Sequence, residues 1–198
     1  QDSIRHPRYI LALAEFWNEK IRDPEGAERI LNEAILNRRL PETEETLRAV
    51  LELRKKFGVS RSLVTAYNEL MDHVLMNDRL DEAKRLYEDF RATLNRSERD
   101  VWYRELEYCA TRLAEVCILR SDDELIDHEL AVQILLDLAD SALRVQQAHL
   151  ARRYVEQAHA LAQMSLTASG AIVRITELRS RLYGCLLYTS DAADDTPC

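Results

Sequence analysis

Apolar side chains recur every three or four positions along the chain, from about residue 8 to residue 184. This spacing places them on one face of an α-helix, and no stretch fits the alternating pattern of a strand better. Only four Gly and four Pro interrupt the pattern, as is typical of helices joined by short connections. The pattern therefore predicts an all-α fold. Its most regular stretch has the apolar positions Trp102, Leu106, Cys109, Leu113 and Val116.

Helix start signals divide this pattern into segments. Asp23-Pro24-Glu25 has the order of an N-cap, a proline at the first helical position and an acid in the first turn. Ser121 and Glu124 have the spacing of a capping box. We predict helices joined by connections of a few residues, which favours antiparallel hairpins. Their predicted ranges are 8–21, 24–37, 42–57, 60–76, 79–94, 98–119, 124–145, 148–166 and 169–184.

The apolar stripes define the predicted core. Cys109 lies within one stripe and Cys117 lies beside it, without the basic or helix N-terminal surroundings of a reactive thiol. The two are roughly 12 Å apart along one predicted helix, too far for a disulfide, so we expect reduced, buried thiols. The predicted core residues are Phe16, Trp17, Leu31, Leu70, Val74, Tyr87, Trp102, Leu106, Cys109, Leu135, Leu138, Val155 and Leu161.

Three segments share a spacing of small and larger apolar residues: "GAERILNEAI", "DEAKRLYEDF" and "LARRYVEQAH". A small residue lets a neighbouring helix approach closely, and larger apolar residues follow it four and seven positions later. The sets are Ala27-Leu31-Ala34, Ala83-Tyr87-Phe90 and Ala151-Val155-Ala158.

This spacing resembles the second helix of a tetratricopeptide repeat. Residues 64–94 match best, because Tyr67, Leu70, Met71 and Val74 also occupy the first-helix core positions of that family. The spacing between copies departs from the family period of about 34 residues, since Ala83 follows Ala27 by 56 positions. We therefore expect a divergent tetratricopeptide-like α-solenoid over residues 1–184, a stack of antiparallel helical hairpins.

The resemblance implies a scaffold or adaptor that binds a protein or peptide segment. In the register of the family, the four core residues turn inward and leave Thr65, Asn68 and Asp72 on the exposed face of the helix. In this family, that face lines a concave groove, where polar side chains bond to the backbone of an extended peptide. Thr65, Asn68 and Asp72 are therefore the predicted ligand-binding residues.

The same hairpin also resembles a pentatricopeptide repeat, which would make the chain an RNA-binding protein. Such proteins use tandem repeats of near-constant length, each of which reads one base. The chain lacks that regularity, and its formal net charge of -8 argues against a broad phosphate-binding surface. A third alternative is a regulatory helical region of a larger protein whose effector domain is missing.

Catalytic and metal-binding motifs are missing from the sequence. Its glycines form no phosphate-binding loop, and its five histidines form no metal-binding pair. The acids of residues 121–129 suit a helix N-terminus, and the basic run at residues 54–61 suits a helix end and is typical of solvated surface. We therefore expect no enzyme activity, no cofactor and no metal. Without a membrane span or a secretory signal, we expect a cytoplasmic protein with no membrane partner.

The last stretch, "CLLYTSDAADDTPC" (residues 185–198), lacks the helical stripe. Its back-translation resembles a sequencing-library adapter. We therefore expect residues 185–198 to be a non-native, disordered tail, and residues 1–184 to be truncated at their C-terminal end.

Overall fold

The computed structural model describes residues 7–119, 125–164 and 169–194. Over these ranges the chain is helical and contains no strand, which confirms the all-α prediction. A π-helical segment, Trp17–Ile21, directly follows the first helix. The helices are α1 (Pro7–Phe16), α2 (Pro24–Leu36), α3 (Glu44–Phe57), α4 (Arg61–Met76), α5 (Leu80–Thr93), α6 (Arg96–Val101), α7 (Tyr103–Leu119), α8 (Leu125–Arg144), α9 (Ala148–Met164) and α10 (Ser169–Asp194).

The chain divides into two compact units, Gln1–Leu94 and Asn95–Cys198. The sequence predicts instead one repeat domain, residues 1–184, followed by a tail. In the first unit, α3 packs against α1, α2 and α4, and α4 packs against α5. In the second unit, α8 packs against α6, α7, α9 and α10.

Helix α2 ends at Leu36 and α4 ends at Met76, 40 residues later. Ion pairs place the C-terminal ends of α1 and α3 side by side and the start of α2 against the end of α3. Helices α1 and α3 therefore run parallel, as do α2 and α4. The residues Ala27, Leu31 and Ala34 of α2 correspond to Tyr67, Met71 and Val74 of α4, and all six are buried.

Three helices, α2, α4 and α8, end in the same Schellman motif. The residue after each C-cap is left-handed, with φ of 51° at Arg38, 64° at Asp78 and 60° at Gln146. At the end of α8, the amide N of Gln147 donates to the carbonyl of Ala142 at 2.8 Å, and the other two ends have the equivalent bond. None of these positions is a glycine, although glycine adopts a left-handed conformation at the lowest cost.

Most of the predicted core is buried, with four exceptions. Phe16 is 52% exposed and Trp17 is half-buried, because the π-helical segment that begins at Trp17 ends the regular spacing of α1. Trp102 is half-buried because it joins α6 to α7, so the predicted helix 98–119 is two helices. Leu161 is half-buried on α9. The buried predictions are Leu31, Leu70, Val74, Tyr87, Leu106, Cys109, Leu135, Leu138 and Val155.

The last helix is longer than the sequence predicts, and one predicted capping box cannot be compared with the structure. Helix α10 continues to Asp194, whereas the sequence predicted an end near 184 and disorder beyond it. Residues 185–194 contain neither Pro nor Gly, so no strong helix breaker stops the helix directly after Gly184. The non-native origin of residues 185–198 stays a prediction. The capping box of Ser121 and Glu124 lies outside the described residues.

Candidate binding groove

A groove of about 830 Å³ lies in the first unit, between the C-terminal halves of α2 and α4 and the N-terminal half of α3. Its position follows from the arrangement of these helices, since α2 and α4 run parallel on either side of the start of α3. The lining combines buried and solvent-facing apolar side chains, so the groove offers an apolar surface that water can reach. These are the buried Leu40, Val50 and Ala66 and the more accessible Ile35, Leu47 and Met76.

Charged side chains line the same groove. Arg38 follows α2, Glu42 precedes α3, and α4 contributes Glu69, Asp72 and His73. The lining therefore contains three carboxylates and one guanidinium. An apolar groove with a charged lining is suited to binding a segment that has both apolar and charged side chains.

Glu69 has a perturbed pKa. The walls of the groove remove part of the hydration of its carboxylate, and this desolvation raises its pKa. The positive charge of Arg54 opposes the shift, and the negative charge of Glu42 adds to it. The Glu69 side chain nevertheless keeps contact with solvent, which moderates all three effects.

The predicted binding residues Thr65, Asn68 and Asp72 do not share one exposed face. Thr65 is exposed, but Asn68 and Asp72 are half-buried. Asp72 lines the groove, whereas Thr65 and Asn68 lie outside its lining. The expected register treats α4 as the first helix of a hairpin with α5, but α4 packs against α3 as well as against α5.

A network of ion pairs lies beside the groove, where α3, α4 and α5 meet. Glu44 pairs with Arg48 at 2.9 Å and with Arg79 at 2.6 Å, and its carboxylate lies 3.6 Å from the ring nitrogen of His73. Both arginines also pair with Glu82 of α5. The hydrogen bonds from Arg79 and Arg48 lower the pKa of Glu44 to about 2.

The basic run of α3 is the predicted solvated surface only in part, because its side chains also connect α3 to neighbouring helices. Lys56 pairs with Glu15 of α1 at 2.5 Å, and Lys55 pairs with Asp89 of α5 at 2.5 Å. Each of these bases follows Arg54, which points into the protein. The three consecutive basic residues thereby connect α3 to four other helices, α1, α2, α4 and α5.

Arg54 is 3% exposed. Its guanidinium donates to the carbonyl of Ser62 at 3.0 Å and to Asn32 at 2.9 Å, and it lies 3.3 Å from the carboxylate of Glu28. Burial lowers the pKa of Arg54, while Glu28 and Glu69 oppose that shift. Sequence reasoning missed this residue. One signal could have revealed it, because Arg54 continues the apolar stripe of α3 three residues after Leu51 and four after Val50.

A second, smaller cleft of about 380 Å³ lies between the parallel helices α1 and α3. Leu11 and Leu53 line it together with Glu15 and Lys56, which pair with each other. Its lining also includes Arg8 and Glu52, so it has two acids and two bases, whereas the lining of the larger groove has more carboxylates than guanidiniums.

The acidic segment 121–129 falls partly outside the described residues, which exclude Asp122 and Asp123. Its His128 is buried in α8. Within the described residues, no group of three or more His, Cys, Asp or Glu side chains is arranged to hold a metal ion. Among those same residues, no helix combines the length and apolar character that crossing a membrane requires.

Comparison of the chain with models of protein families, with curated proteins and with solved structures finds no match in any of the three.

Proposed function

We propose that this chain is a non-enzymatic protein-interaction scaffold that holds a segment of a partner protein in the groove between α2, α3 and α4. The observation that carries the proposal is the lining of that groove, which places accessible apolar side chains next to the carboxylates of Glu42 and Glu69. Asp72 keeps its proposed role as a contact to the ligand, because it is the predicted binding residue that lines the groove.

We further propose that the helical hairpins form a divergent tetratricopeptide-like stack. The hairpins α1–α2 and α3–α4 support this proposal, as does the burial of the small residues Ala27, Ala83 and Ala151. A reducing compartment, the cytoplasm, is the proposed location, and the burial of Cys109 and Cys117 without a disulfide supports it.

RNA binding is the less favoured alternative. A phosphate backbone would meet Glu42, Glu69 and Asp72 in the groove, and like charges repel. A protein segment can instead place basic or apolar side chains there.

The test uses dodecapeptides selected from a random display library on the intact protein. Met76 lines the groove and is 79% exposed, so Met76→Ser removes an apolar contact to the ligand without opening the core. Losing a buried thioether side chain from the interface costs about 1–1.5 kcal/mol, so we expect roughly tenfold weaker binding. Fluorescence anisotropy of the selected peptides measures the change.

Leu36→Ser is the matched control. Leu36 occupies the position in α2 that Met76 occupies in α4, is 82% exposed and lies outside the groove lining. We expect Leu36→Ser to leave the dissociation constants within about twofold of the unmodified protein. The proposal is wrong if no peptide is selected, or if the selected peptides tolerate Met76→Ser as well as they tolerate Leu36→Ser.

A further inference from the structure

We infer that the segment held in the groove is basic and apolar, with one or two large apolar anchors flanked by Lys or Arg. This inference rests on the proposed function and adds the chemical class of the ligand. Acidic and purely apolar segments are the alternatives that the test must separate from it.

The charge of the groove supports a basic ligand. Glu42 precedes α3 and Glu69 lies on α4, so two carboxylates approach the groove from different elements, and Arg38 is the single arginine in its lining. Arg54 is the nearest buried cation, but it already binds Glu28 and Asn32. A Lys or Arg of the ligand would supply the positive charge that the groove lacks, whereas an acidic ligand would add to the repulsion.

The apolar lining supports anchors beside those basic residues. Ile35 and Met76 are exposed and Leu47 is half-buried, so a large apolar side chain between them would remove apolar surface from water. A segment of basic residues alone would leave this surface uncovered. The combination of both features in one groove therefore specifies a mixed sequence.

The groove also predicts how binding responds to pH. Desolvation and the neighbouring Glu42 raise the pKa of Glu69, and the charge of Arg54 opposes this shift, so the carboxylate loses its charge earlier than an ordinary glutamate as the pH falls. Protonation of Glu69 weakens the attraction for a basic ligand, so the affinity for that ligand should fall as the solution is acidified.

The experiment compares two fluorescein-labelled dodecapeptides on the full chain. Both contain two Leu anchors in a Gly/Ser background, and one carries four Lys where the other carries four Glu. At pH 7 and low salt, we expect the Lys probe to bind at least tenfold more tightly than the Glu probe. The double variant Glu42→Gln/Glu69→Gln should reduce this preference at least fivefold, because it removes two of the three groove carboxylates without changing their shape.

A control variant separates the groove from the general charge of the protein. Glu25→Gln/Glu88→Gln makes the same change of charge at exposed positions on α2 and α5, outside the groove lining. We expect it to change the preference less than twofold. Circular dichroism at each titration endpoint verifies that both double variants are folded.

The outcomes distinguish the inference from the proposed function. The inference is overturned if the Glu probe binds as tightly as the Lys probe, or if the control variant reduces the preference as much as the groove variant. If the binding of library-selected peptides depends on Met76 but these peptides lack basic residues, the proposed function of the groove holds. Only the inference of a basic ligand is then wrong. If no peptide depends on Met76, the proposed function fails as well.

Discussion

The consecutive residues Arg54, Lys55 and Lys56 face different neighbours, and only Arg54 is buried. A buried arginine is tolerated when it donates hydrogen bonds and a carboxylate lies close by. The terminal nitrogens of Arg54 donate to Asn32 and to the carbonyl of Ser62, and the carboxylate of Glu28 lies 3.3 Å from its Nε. At this position, α3 therefore joins α2 and α4 through polar contacts within an apolar core.

Removal of this guanidinium should strongly destabilise the first unit. Arg54→Met keeps much of the side-chain volume but leaves the carboxylate of Glu28 without its cation, and breaking a buried pair in this way costs about 3 kcal/mol. Urea unfolding followed by circular dichroism measures the loss. Lys56→Met, two residues later, removes a solvent-exposed ion pair and should shift the midpoint far less.

The double variant Glu28→Gln/Arg54→Met provides the corresponding check. It removes the unpaired charge and should recover part of the lost stability. Equal effects of Arg54→Met and Lys56→Met would contradict the role of Arg54 as a buried connection between helices.

At the scale of elements, the sequence predicts helices well because helical periodicity is local. The stripe in α4 correctly identifies Tyr67, Leu70, Met71 and Val74 as buried. Local pattern does not reveal the break at Trp102 or the π-helical segment, because both depend on packing against other helices. The similar segments "LNRRL" and "MNDRL", at residues 36–40 and 76–80, are a sequence signal for the left-handed helix ends at Arg38 and Asp78.

The left-handed residues at these helix ends offer a direct prediction. Gln146 has φ of 60° after α8, so Gln146→Gly should relieve steric strain and raise the free energy of unfolding by about 0.5–1 kcal/mol. Gln133→Gly makes the same chemical change at an exposed position inside α8 and should lower it by about 1 kcal/mol. Thermal or urea unfolding of the two variants tests the prediction. Destabilisation of similar size in both would contradict the left-handed geometry at Gln146.

At the scale of the whole molecule, the groove could not be predicted from the sequence. It depends on the placement of α2 and α4 on either side of α3, and those helices end 40 residues apart. Of the three binding residues predicted from the helix register, Asp72 lines the groove, whereas Thr65 and Asn68 lie outside its lining. Residue spacing identifies the face of one helix, whereas a groove needs the relative positions of three.

The proposed function requires that a protein segment occupies the groove between α2, α3 and α4. Methyl NMR of the full chain, titrated with a library-selected peptide, tests it most directly because each surface carries its own methyl groups. We predict that the largest chemical-shift changes fall on Leu47, Val50 and Met76. Changes centred on Leu11 and Leu53, in the cleft between α1 and α3, would contradict the account.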